Sequence, residues 1–205
     1  MNRLVVFFVA LMSAFCSYGQ SPKPAIEIKV LDSKVTDNSL VTIVLMNNSN
    51  DTYWFPWDIS ELAYVASIGS TYENQVYVLR QRVYNDKEHI DEPTLMSGDY
   101  DSEGLLKKWN EKLATKKATD YVVVKPKNFV QLRLPFKVVQ KLAPAWYSAK
   151  EKIKDGGYKY YVVYNYNAKA AEQVLSPTLL EEVEKLGYKI YHEPLISNKV
   201  PIVKK

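Results

Sequence analysis

The sequence predicts a mainly β protein folded as an antiparallel β-sandwich. Three observations carry the expectation. Seven or more short segments have strand character, turn clusters separate them, and no strand–helix–strand repeat of the doubly wound kind recurs. Tyrosine, with 16 residues, is the unusually frequent type, and it suits strands and contact surfaces outside the cytoplasm.

The elements follow in order. Ile26, Ile28 and Val30 alternate with Glu27 and Lys29, the period of a half-buried strand. Asp37-Asn38-Ser39 marks a turn, and Leu40 to Met46 is a second strand. Asn47-Asn48-Ser49-Asn50-Asp51 is a turn cluster, because these side chains bond to their own main chain and tolerate left-handed backbone. Tyr53-Trp54-Phe55 follows and is expected to stop at Pro56.

The span from about 59 to 120 breaks this rhythm and reads as an insertion. Within it, Gln75 to Tyr84 has strand character, with Val76, Val78 and Arg80 on one side. A polar, acidic loop is expected over residues 86–103, and Leu105, Leu106, Trp109 and Leu113 recur at helical spacing. Strand patterns resume at Tyr121 to Lys125 and from Phe129 to Val139, around a turn at Lys125-Pro126-Lys127-Asn128.

One or two helical turns are expected around Ala145 to Lys154, ended by Asp155-Gly156-Gly157. Tyr158 to Asn167 is the clearest strand. One of its faces carries Tyr158, Tyr160, Val162, Tyr164 and Tyr166, and the other Lys159, Tyr161, Val163 and Asn165. A short helix has Ser176 as its N-cap, Pro177 at its first position and Gly187 past its end. Tyr188 to His192 and Lys199 to Val203 supply two closing strands.

Residues 1–19 have the three parts of a cleavable export signal: basic Arg3, an apolar run from Leu4 to Met12, and small residues near Gly19. The run is too short to span a membrane, which takes about 20 apolar residues. Cys16 could serve as a lipid anchor only after a small residue, and Phe15 is bulky, so no lipid anchor is expected. The expected location is periplasmic or secreted, with residues 20–205 as one domain.

Cys16 is the only cysteine, which excludes thiol catalysis and Cys-ligated zinc once the leader is gone. The balance of 27 Lys and Arg against 23 Asp and Glu lacks the strong basic excess of a nucleic-acid binder.

The run Leu40 to Phe55, with VTIVLMNNSNDTYWF as its main part, resembles the early strands of immunoglobulin-like sandwiches in exported bacterial proteins. In those domains a strand, Asn-x-Ser turn, strand unit often precedes a late Gly-x-Tyr strand, a part filled here by Gly156-Gly157-Tyr158. The Ser-Tyr-Gly-Gln end of the leader is similar to export signals of Bacteroidota. The resemblance implies an immunoglobulin-like fold over about half of the exported chain, and that fold hosts many functions.

Candidate sites are few. Asp99-Tyr100-Asp101-Ser102-Glu103-Gly104 has the alternating oxygens of a calcium loop, with Asp99, Asp101 and Glu103 as the ligands. The twelfth position, which should be a bidentate Glu, is Asn110, so a solvated acidic loop is the favoured reading. His89 and His192 are far apart in sequence and lack zinc-ligand spacing. No nucleophile elbow, phosphate-binding glycine loop or His-Glu-x-x-His helix occurs, and no cofactor is implied.

The aromatic groups Tyr53, Trp54, Trp57 and Tyr158, Tyr160, Tyr164, Tyr166 are the candidate binding residues, provided that their faces are exposed. The expectation is an exported, non-catalytic binding protein of the cell envelope, of inhibitor or immunity type in its narrower form. Its partner would be another protein or a cell-surface polymer. A glycan hydrolase using carboxylates of the 58–61 and 91–103 regions, and a calcium-stabilised adhesion module, are the alternatives.

Overall fold

The computed structural model describes residues 23–58, 79–91, 95–97, 111, 113–136, 139–143, 146–149 and 157–203. The expected leader with Cys16, the acidic motif of Asp99, Asp101 and Glu103, and most of the 59–120 insertion lie outside these residues. The described chain is mainly β, with several antiparallel sheets and a helical layer on one of them.

The first sheet has β1 (Ile26–Val30) beside β3 (Ser39–Asn47), and β3 beside β9 (Phe129–Phe136), all antiparallel. Its alternation is the one read from sequence. Ile26, Ile28 and Val30 pack inward with Val41, Ile43 and Leu45 of β3 and Leu132, Leu134 and Phe136 of β9.

The second sheet places β4 (Tyr53–Asp58) between β8 (Tyr121–Val124) and β13 (Lys189–Ile190). Pro56 does not stop β4 as expected. The strand runs on to Asp58, and the register against β8 shifts between Phe55 and Asp58. Proline has no N–H to give the ladder, so an irregularity is how a paired strand accommodates it. Both faces of β4 are buried: Phe55 and Trp57 join the main core, whereas Trp54 belongs to a second apolar cluster behind the sheet.

That second cluster is covered by α1 (Ala168–Val174) and α2 (Pro177–Lys185), through Ala171, Leu179 and Val183, and by Leu175 between them. The expected caps of α2 are in place. Ser176 Oγ accepts from the Leu179 N–H at 3.2 Å. Gly187, at φ +71°, supplies the left-handed residue that lets its own N–H reach Glu184 O and the Tyr188 N–H reach Val183 O. Glu182 ties α2 to a single 3-10 turn at Ala118–Asp120 by accepting from the Ala118 N–H at 2.9 Å, and Trp54 Nε1 donates to Ala118 O.

The third sheet runs β2 (Val35–Thr36), β15 (Val200–Val203), β12 (Tyr158–Tyr164), β5 (Arg80–Asn85) and β6 (Ile90–Asp91), with β14 (Leu195–Ile196) also on β12. A smaller one joins β10 (Val139–Ala143), β11 (Trp146–Ala149) and β7 (Leu95–Ser97). Residues 146–149, expected as helix, are thus strand, because main-chain partners on both sides outweigh local preference.

The first three sheets turn their apolar faces to one core. Asn47 pins the crossing from the first sheet to the second. Its Nδ2 donates to Asp51 O and Val124 O, and its Oδ1 accepts from Ser49 N–H and Oγ–H. The turn cluster read from sequence therefore carries a polar knot built on the buried Asn47.

Candidate functional site

Most of the aromatic candidates are structural. Trp54, Trp57, Tyr160 and Tyr164 are buried at 0 to 4 % exposure, so they pack the interior and offer no contact surface. Trp57 stacks on Phe55 at 4.9 Å and meets Tyr164 edge-on at 5.0 Å. The half-buried Tyr53, Tyr158 and Tyr166 pack against the same core. The tyrosine-rich face of β12 is therefore the inner one: polar rims on otherwise apolar rings let tyrosine fill a core wherever the hydroxyl finds a partner. Tyr164 donates to Tyr191 O at 2.5 Å and Tyr160 to Gln81 Oε1 at 3.0 Å. Burial holds both phenols well above the ordinary range.

The other sequence candidates separate. His89 sits 3.3 Å from the Tyr84 hydroxyl, and His192 lies edge-on to Tyr166 at 4.6 Å between ring centres. Asp58 is buried and held by Lys116 Nζ at 3.2 Å, which ties this carboxylate to a structural ion pair. Among the described residues, no group of three or more His, Cys, Asp or Glu side chains is placed to hold a metal ion.

The outer face of the third sheet combines charge and apolar surface in a way that packing does not demand. Residues directly opposite across an antiparallel pair share a face, which fixes its rows. One row is Ile196, Val163 and Arg80, from β14, β12 and β5. The next pairs Tyr161 with Arg82, and a third holds Pro201, Lys159 and Tyr84. Lys199 leans over this surface, its Nζ 3.1 Å from the Tyr84 ring centre and 5.2 Å from that of Tyr161.

Lys159 is neutralised by Asp86 at 2.9 Å. Among the described residues, Arg80, Arg82 and Lys199 have no carboxylate partner. Burial, and then the like charge of Arg82, pull the Arg80 guanidinium below its usual range. Ile196 is 68 % exposed beside this charge. A guanidinium fork can hold a carboxylate or phosphate by two parallel hydrogen bonds, so the face can capture anions.

Arg82 was not among the residues singled out from sequence, although the signal was present. Arg80, Arg82 and Tyr84 lie two apart, and a strand puts such residues on one side.

Two open hollows also lie on the surface of the described residues. An open groove of about 640 Å³ lies between β1 and residues 191–198, lined by Ile26, Ile28, Tyr191 and Leu195 among others. Asn198 also lines it, its amide bonding both the N–H and the C=O of Val30. A second hollow of about 590 Å³ surrounds Asn48 and the exposed Phe129. The chain matches no protein-family model, no curated protein and no solved structure.

Proposed function

We propose that the chain is an exported, non-catalytic binding protein of the cell envelope, working in the periplasm or outside the cell, with the outer face of the third sheet as its contact surface. The observation that carries the reading is the placement of Arg80, Arg82 and Lys199 on one face without a carboxylate partner among the described residues. Like charges held side by side cost stability, and a binding partner of opposite charge is a physical reason to keep them there. An immunoglobulin-like sandwich is the fold reading that accompanies this proposal. It is supported by the antiparallel first sheet and by the core that this sheet shares with the second and third.

The test is affinity capture from envelope extract with the immobilised protein and with an Arg80→Glu/Arg82→Glu variant of equal stability. A species retained by the unmodified protein and released by the double substitution is the expected result. Identical retention by both proteins, or no specific retention by either, would overturn the reading.

A further inference from the structure

The basic face described above also constrains the chemistry of what it binds. Resting on the binding reading, we propose that its partner is a protein that presents paired carboxylates beside an apolar contact. Arg80 and Arg82 project from the same side of β5, two residues apart. That spacing is about 6.8 Å along a strand, so carboxylates two apart on a facing strand would match it. Each guanidinium can take one carboxylate in a forked pair, and a half-buried site strengthens such pairs relative to open solvent.

The neighbouring groups favour a protein over an acidic glycan. Sugars are commonly held by stacking on bare aromatic faces, and Lys199 occupies the Tyr84 ring at 3.1 Å. The groups in the row of Arg80 are instead aliphatic: the half-buried Val163 lies opposite both Arg80 and Ile196, and Ile196 is 68 % exposed. The row of Ile196, Val163 and Arg80 crosses three strands at about 4.8 Å spacing, a span of roughly 10 Å, the size of a hot spot at the centre of a larger interface. Cations on one strand beside an aliphatic group two strands away fit an acidic protein surface with an apolar anchor.

Three defined probes test this: a random glutamate–tyrosine copolymer, poly-L-glutamate, and polygalacturonate as the glycan polyanion. The expected order is copolymer tightest, poly-L-glutamate weaker and polygalacturonate weakest. Arg80→Gln/Arg82→Gln should weaken both polypeptides about tenfold, and raising salt from about 50 to about 300 mM should weaken them further. Ile196→Ser should weaken the copolymer about threefold while leaving poly-L-glutamate unchanged.

Polygalacturonate binding as tightly as the copolymer would overturn the proposal, as would indifference of polypeptide binding to the double substitution or binding to neither polypeptide. If the probes fail while extract capture still separates the unmodified protein from the Arg80→Glu/Arg82→Glu variant, the binding reading survives and the acidic partner falls. Failure of both removes the binding reading itself.

Discussion

Along β12, Tyr160, Val162 and Tyr164 point into the core, while Lys159, Tyr161 and Val163 face the other way. The inner set is held by rings from two other strands, β4 and β9, and by two hydroxyl bonds. The outer set carries an ion pair, a cation above two rings, and arginines on the adjacent strand. One strand thus serves two purposes. Substitutions inside should change stability, as should those of the outward but buried Tyr161, whereas substitutions of the partly exposed outer side chains should change association.

The largest effect should come from the inner side. Trp57→Ala removes a fully buried ring in contact with Phe55 and Tyr164 and should destabilise by about 3–5 kcal/mol, read by chemical denaturation. A loss below about 1 kcal/mol would mean that the ring contributes little to the core. Asn47→Ala comes next. It strips the knot between the first two sheets and leaves Val124 O short of a partner, at a cost of about 1–3 kcal/mol.

Alkali offers a third, titratable probe of the same side. Tyr160 and Tyr164 keep their protons in the fold at pH values where the unfolded chain has lost them. Their contribution is complete below pH about 10 and declines as pH rises further, by up to about 1.4 kcal/mol per pH unit for each tyrosine. Denaturation midpoints across that window should fall, and Tyr160→Phe should flatten the decline. A pH-independent midpoint would contradict their burial.

The smallest effect on stability should come from the outer face. Arg82→Ala should shift unfolding by no more than about 0.5 kcal/mol, since no ion pair is lost among the described residues. Its consequence should appear in partner capture. A substantially destabilised Arg82→Ala would make this face part of the scaffold and erase the contrast between the two sides of β12.

Local signals were legible where local chemistry decides the outcome. The Ile26, Ile28, Val30 alternation, the Lys125–Asn128 turn and the capped helix from Pro177 all follow from spacing and end residues. The buried side of the tyrosine strand was not legible, because alternation divides residues into two sets without saying which one another sheet will cover. Helix α1 also escaped notice, since seven residues rich in alanine give only a weak periodic signal.

The parallel pairings of β13 with β4 and β15 with β2 had no local trace at all. Their partners are far apart in sequence, so only tertiary packing selects them. For the candidate site, period two could have assembled Arg80, Arg82 and Tyr84 on one side of β5. Their meeting with Val163, Ile196 and Lys199 depends on register between distant strands.

The pairing of Val35 with Ile202 has a kinetic consequence. Together with the amide of Asn198 on Val30, it joins the earliest described strands to the last. Such distant contacts raise contact order, and closing the long intervening chain must precede any gain from them. Folding should therefore be slow, and it should complete only after β15 is free to dock.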